Sequence, residues 1–344
     1  MRIDVHTHII SDKLPDLAAK YGGDRWPTVQ KTCCCGGQIL VGGKVFREIT
    51  DQSWDPVRRI ADMDEERVDM QVISPVPVTL SYFASPEAGL ELCKFQNDFI
   101  ARTVAHHSSR FVGLGAVPLQ STDMAIQEMD RIIHQLKLNG IEIGTNVNGM
   151  NLDEPSLLPF FETAAQWDVP IFIHPWEGLG RERMPRHNFM YSVGMPSETA
   201  LAAASLTWGG VMEKFPTLKI CMAHGGGAFP YILPRLDQAW NLMKQAQVTA
   251  HQPSYYAKLF YYDSLVYDPG NLRYIIDRFG VDKVVIGTDY PFLIRETPAA
   301  KVLDDMEHLT PEHRWMIEGE NVSKFLNLKR SKEHTGVLKK TDRI

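Results

Sequence analysis

A single (β/α)8 barrel is the architecture this sequence predicts. Eight short apolar runs are spaced along its 344 residues, segments with helical periodicity separate them, and most runs are almost continuously hydrophobic. Parallel strands covered on both faces require such runs. The bulk composition agrees: 44% hydrophobic and 23% charged residues read as a soluble globular chain. The net charge of -6, with no basic block, argues against nucleic acid as a partner. No apolar run approaches the roughly 20 residues that a membrane helix needs. Met1 leads directly into Arg2-Ile3-Asp4 without a secretory leader pattern, so a cytoplasmic protein is expected.

The run at 2–8 (RIDVHTH) opens the barrel. Residues i and i+2 of a strand project to the same side, so His6 and His8 point one way at its end. Further runs lie at 68–74 (VDMQVIS), 111–118 (FVGLGAVP), 140–146 (GIEIGTN), 169–175 (VPIFIHP), 218–224 (LKICMAH), 258–264 (KLFYYDS) and 283–291 (KVVIGTDYP). Of the helical segments, 55–66 starts with Asp55 then Pro56, a favourable cap and first-turn pair. Segment 122–136 repeats apolar residues at three-and-four spacing, and 154–167 and 196–215 precede the fifth and sixth strands. A glycine-rich stretch at 19–53 reads as an insertion near the barrel mouth. One barrel domain over 1–328 is expected, with a charged tail at 329–344. The five cysteines do not suggest a disulfide framework. Cys33, Cys34 and Cys35 are consecutive, lack the C-x-x-C spacing of a metal knuckle and read as a reduced surface loop. Cys93 and Cys221 fall in a helical and a strand pattern and read as core.

Barrel active sites form at the C-terminal ends of the strands. The first run ends in His6 and His8, the fifth in His174, the sixth in His224 and the eighth in Asp289. Taken singly, each reads as a structural residue or a cap. Together, four imidazoles and a carboxylate on one rim predict a divalent transition-metal site, zinc first.

This order resembles the amidohydrolase superfamily: H-x-H on strand one, histidines on strands five and six, aspartate on strand eight. The segments RIDVHTHI, VFREI, WDPVRRIADMD, RFVGLGAVP, HPW, VGMPSET, HGGGAFPYILPRLDQAW and GTDYPF narrow the resemblance to the 2-amino-3-carboxymuconate-6-semialdehyde decarboxylase family, over almost the whole chain. The resemblance implies an amidohydrolase-type barrel and a carboxy-lyase. Its substrate would be that semialdehyde or a close analogue, in tryptophan (kynurenine) or aromatic catabolism. It implies one divalent ion, Zn2+ foremost, with Mn2+, Co2+ or Fe2+ as alternatives. By position it implies His6, His8, His174 and Asp289 as ligands, a water completing the shell, and His224 as the acid/base beside that water. Arg47, in VFREI, would anchor a substrate carboxylate, and Arg235 would be a second arginine supplied across a homodimer interface. Superfamily members often bridge two metals with a carboxylated lysine at the end of strand four. The fourth run ends Gly144-Thr145-Asn146, so one metal is expected.

The chemistry implied is coherent. Decarboxylation leaves an electron pair on carbon. A metal can polarise the substrate and lower the pKa of a water, and a histidine can return the proton to carbon. The arginine fork binds carboxylate through two hydrogen bonds. Gly225, Gly226 and Gly227 allow either close backbone approach to a ligand or a sharp turn. Trp176, Phe46 and Phe292 either wall the pocket or pack the barrel mouth.

This chain departs from the family pattern at Glu177, at the run RHNFMYS that places Asn188 and Tyr191 at the pocket mouth, and at Leu293-Ile294-Arg295-Glu296. These positions touch walls and spare the ligands, which leaves room for a hydroxy or chloro analogue or an aromatic carboxylate. A metal-dependent hydrolase or hydratase acting on a carboxylated small molecule is the alternative from the same fold. A noncatalytic zinc-stabilised binding protein would have no use for a spare His224 beside a closed site.

Overall fold

The eight apolar runs become eight parallel strands in the computed structural model, which describes residues 1–328; the expected tail at 329–344 lies outside them. β1 (Ile3–Ile9) is followed by three strands inside the insertion: β2 (Pro27–Lys31), β3 (Gly36–Val41) and β4 (Lys44–Thr50). The barrel continues with β5 (Met70–Pro75), β6 (Phe111–Ala116), β7 (Gly140–Gly144), β8 (Ile171–His174), β9 (Ile220–Met222), β10 (Tyr261–Asp263) and β11 (Val284–Val285). β1 pairs with β5, and β5 to β11 then pair in chain order. Closure comes from β1 against the chain around and beyond β11. Val5 N–H donates to Ile286 O, and His8 N–H to Tyr290 O, both at 2.8 Å. Apart from Met70, every barrel-strand residue is buried, which is why the runs lack polar alternation.

One irregularity shapes the interior. Asp4 pairs with Gln71 but Thr7 pairs with Ile73, so β1 carries an extra residue between them. Such a bulge re-aims side chains. Val5 joins the apolar floor with Val72, Leu114, Phe172 and Phe325. His6, next in sequence, sets its ring 4.9 Å from that of Phe172. Adjacent residues therefore both reach the barrel interior, one into the floor and one onto the rim.

The insertion is more ordered than its composition suggests. β2, β3 and β4 form an antiparallel sheet. Gly42 and Gly43 make the β3–β4 turn with φ of 60° and 71°, the two-residue geometry whose twist suits a hairpin. Ile39 and Ile49 pack with Ile10, Val76 and Phe292 at the barrel mouth. Arg47, opposite Ile39 in the sheet, is thereby carried to the mouth.

The expected helices form with adjusted limits. Pro56–Glu65 is capped by the Asp55 side chain, which accepts from Val57 N–H. Segment 122–136 divides into Thr122–Asp130 and a wider turn over Arg131–Gln135. Segment 154–167 becomes a short turn and Leu158–Gln166; 196–215 becomes Met195–Trp208 and Val211–Lys214. The longest helix, Pro86–His106, packs against β6 and buries Cys93. Among the described residues no helix is long and apolar enough to cross a membrane.

Arg59 fastens these parts together. It is fully buried. Its Nη1 donates to His8 O at 2.7 Å and Gln52 O at 3.0 Å; its Nη2 donates to Thr7 Oγ1 at 3.0 Å and Gln71 Oε1 at 2.9 Å. Burial brings the guanidinium down to about 10, so it stays charged at neutral pH. Replacing it leaves buried carbonyls without donors. Arg59→Met is expected to cost about 3 kcal/mol, read as a lower urea midpoint at unchanged slope. A cost below about 1 kcal/mol would mean the carbonyls find other partners.

Candidate active site

The strand ends bring five polar side chains to one rim. His6 and His8 come from β1 and His174 from the last position of β8. His224 lies two residues beyond β9, and Asp289 lies four beyond β11. His224 and Asp289 hold left-handed backbone, with φ of 57° and 64°, a strained state that concentrates at functional sites. The glycines after His224 serve both turn and packing. Gly225 has φ of 60°, and a Cβ there would lie 2.5 Å from Val266 Cγ1; a Cβ on Gly227 would lie 2.4 Å from Pro196 O.

Hydrogen bonds orient the rings. His8 Nδ1 lies 3.0 Å from Pro75 O, and His174 Nδ1 lies 3.0 Å from Pro175 O. A carbonyl only accepts, so both protons sit on Nδ1 and both Nε2 atoms present lone pairs. His6 Nδ1 meets Asp263 Oδ2 at 2.6 Å. Asp289 Oδ1 then stands 3.3 Å from His6 Nε2 and 3.2 Å from His8 Nε2. Donor atoms of His6, His174, His224 and Asp289 lie within 4.8 Å of one another. That group includes His224, the expected acid/base, and not His8, an expected ligand; His8 instead reaches it through Asp289 and sets its ring 4.8 Å from that of His174. Any of the five could hold a cation.

Environment sets the charges. Burial pulls His6 down, but its hydrogen bond with Asp263 and the nearby carboxylates of Asp263 and Asp289 win and raise it to about 10. Burial takes His8 down to about 4 and lowers His174 and His224. Against burial, the neighbouring His6 and His8 rings hold Asp289 well below the usual carboxylate range. Glu142, on β7, is fully buried 3.7 Å from His8 Nδ1, and burial pushes it up to about 8.

Asp263 is the residue that sequence reasoning missed. Besides His6, it accepts from His224 N–H at 2.9 Å, Gly225 N–H at 2.8 Å and Leu265 N–H at 3.1 Å. It ends the strand within KLFYYDS, and that acidic strand end was the available signal.

The predicted substrate side assembles around Phe292, whose ring stacks on His8 with centroids 5.0 Å apart. The Arg47 guanidinium lies 3.7 Å from the Phe292 centroid, 5.6 Å from that of Tyr191 and 5.7 Å from that of Phe46. Arg47 has no carboxylate partner among the described residues. Trp176 is half-buried beside His174, and its carbonyl accepts from Asn146 Nδ2 at 3.0 Å. Asn146 also donates to Glu198 at 2.9 Å. Arg235 is not brought to this rim; it is exposed on the helix Phe229–Leu242.

Comparison with known proteins agrees with this geometry. The amidohydrolase family model matches residues 3–328, so the chain belongs to the amidohydrolase family. The 2-amino-3-carboxymuconate-6-semialdehyde decarboxylase of Dictyostelium discoideum is 41% identical over 330 residues, covering 95% of this chain and 92% of its own. The chain therefore belongs to the family of that decarboxylase. Among solved structures, 5-carboxyvanillate decarboxylase from Sphingomonas paucimobilis superposes with a TM-score of 0.81 at 26% identity, over 95% of this chain and 99% of its own. A dihydroxybenzoic acid decarboxylase from Polaromonas, holding manganese and 2-nitroresorcinol, shares the fold at a TM-score of 0.77 and 22% identity, over 96% and 98% of the two chains.

The His6 environment has a pH signature in the metal-free chain. A base raised in the folded state contributes stability that is full below its unfolded value, about 6.5, and that is lost as pH rises through its folded value, about 10. The urea midpoint of chelator-stripped protein should therefore fall between these limits. In Asp263→Asn, which removes a carboxylate raising His6, the alkaline decline should shrink. Equal declines in the two proteins would refute the coupling.

Proposed function

We propose that this chain is a metal-dependent nonoxidative decarboxylase, releasing CO2 from 2-amino-3-carboxymuconate 6-semialdehyde or a close analogue. One observation carries the metal reading. His6 Nε2, His8 Nε2, His174 Nε2 and Asp289 Oδ1 are all buried without a hydrogen-bond partner. Acceptor faces acceptor at little more than 3 Å unless a proton or a cation lies between them. Three imidazole nitrogens and a carboxylate oxygen fit one Zn2+, with Mn2+, Co2+ or Fe2+ as alternatives. The fourth barrel strand, β7, supplies no lysine to bridge a second ion. Residues 1–328 act as the single catalytic unit, in the cytoplasm, in kynurenine or aromatic catabolism.

When bound, the ion would polarise the substrate and lower the pKa of a coordinated water. The chain's own residues do the rest. Arg47, without a carboxylate partner among the described residues, binds a substrate carboxylate through its fork, and Phe292, Tyr191 and Phe46 keep water from that pair. His224 is largely buried, its ring 5.0 Å from that of His6, and its buried Nδ1 has no partner. Burial lowers its pKa, so it is neutral at pH 7 and takes up a proton that it then delivers to the carbon vacated by CO2. His6, His8 and His174 are held as Nδ1–H donors and cannot swing into that role.

A homodimer completes the site. Tyr231 and Leu242 are 82% and 71% exposed on the helix that carries Arg235, Met243 is 56% exposed at its end, and Tyr255 is 55% exposed on the helix Pro253–Ala257 packed beside it. This apolar face suits a second copy, which would place Arg235 in its neighbour's pocket.

The primary test follows CO2 release together with metal content. His6→Ala should lose most metal and activity. His224→Ala should keep about one ion per chain and lose roughly 10²–10⁴-fold in rate. Loss of metal from His224→Ala would make it a ligand. A product acid formed without CO2 would favour the hydrolase.

Assembly is tested by co-expressing His224→Ala with Arg235→Ala. Half of randomly mixed dimers are heterodimers, each with one site holding intact copies of both residues. Activity should recover to about a quarter of wild-type sites. Heterodimers no more active than either variant would leave Arg235 outside the partner's site.

A further inference from the structure

The insertion holds a second ligand cluster, distinct in chemistry from the histidine rim. Between β2 and β3 the chain reads Thr32-Cys33-Cys34-Cys35. This turn is tied down: the N–H groups of Thr32 and Cys33 donate to Gly36 O at 3.0 and 3.3 Å, and Asp51 N–H donates to Cys35 O at 3.0 Å. All three thiols are exposed. Cys33 and Cys35 point the same way, with their sulfurs 3.7 Å apart.

That separation is informative. A disulfide would need about 2.05 Å. Two thiolates bound at about 2.3 Å to one tetrahedral zinc-like ion stand about 3.8 Å apart, so the sulfurs already sit near the edge of a coordination tetrahedron. Cys34 lies between them in the same tied turn, its thiol also exposed. Gly36 keeps the space open, since a Cβ there would come 3.0 Å from Cys33 Sγ.

We propose that Cys33, Cys34 and Cys35 form a thiolate site for a soft d10 cation of the Zn2+ and Cd2+ type. On binding, each coordinating sulfur loses its proton to solvent and gains a bond to the ion. No oxidant is consumed, and the fourth tetrahedral position is left to water or an external thiol. Without the expected C-x-x-C spacing, the site is built by a closed hairpin turn.

Cadmium is the probe. The reduced protein, with its rim metal loaded, is titrated with Cd2+ under anaerobic conditions, and the ultraviolet sulfur-to-cadmium charge-transfer band is followed. Histidine and carboxylate ligands give no such band. We expect one further Cd2+ per chain with the band, and loss of both in Cys33→Ser/Cys35→Ser, which should retain its rim metal. Cys34→Ser should weaken the band by about a third, one thiolate of three. No band in the wild type would overturn the site, as would a band persisting at full strength in the double variant, since it would then arise outside Cys33 and Cys35. An unchanged band in Cys34→Ser would remove that residue from the ligand set.

Discussion

The rim depends on where the Nδ1 protons go. Pro75 O, Pro175 O and Asp263 take those of His8, His174 and His6, and that choice turns every Nε2 toward Asp289. A ligand's second nitrogen held by a carbonyl or carboxylate is what gives a metal site its fixed geometry. The arrangement opposes folding when metal is absent, because buried acceptors face one another. The metal-free chain relieves this with a proton on His6, and a divalent ion would displace it. Metal binding and folding of the barrel mouth are therefore coupled, and the carboxylate that makes the tie, Asp263, also anchors the backbone of His224.

The insertion supplies what the barrel lacks. A β/α rim can gather ligands from strand ends but offers little to cover a substrate. Here a hairpin sheet packs Ile39 and Ile49 onto the mouth and presents Arg47 to Phe292. Phe292 stacks on His8, so the Arg47 guanidinium and a rim imidazole share one aromatic ring. Arg59 binds the end of that insertion, at Gln52 O, to His8 O on β1. Roof and floor are held in register by a single buried guanidinium.

The barrel was legible in the sequence because parallel strands buried on both faces leave uninterrupted apolar runs. The rim was legible because strand ends are recognisable and H-x-H aims both rings alike. Three features were not. The bulge in β1 is a pairing property, invisible until Asp4 and Thr7 are matched with Gln71 and Ile73. The insertion's sheet hid behind its glycines, although Gly42-Gly43 between ILV and KVF is a hairpin signal. Asp263 sat in a strand with no histidine to draw attention to its end. Arg235 poses a different difficulty: its side chain lies away from the rim of its own chain, so only family resemblance points to its use.

Tolerance to substitution follows the same physical division. The rim residues are interlocked: Asp289 N–H donates to His6 O at 2.9 Å and His224 N–H to Asp263, and these bonds hold two residues in left-handed backbone. Altering one ligand would release strain and leave buried charges unpaired, a cost of several kcal/mol. The wall positions carry no such linkage. Glu177 also has a positive φ, 48°, but its carboxylate pairs with Arg25 of the insertion at 2.9 Å where both are partly exposed, an interaction of little energetic weight. Tyr191 and Leu293 lie at the mouth, the latter 98% exposed. Substrate preference can therefore change by substitution at the walls, at small cost in stability, while the metal chemistry beneath is held by a network that tolerates little change.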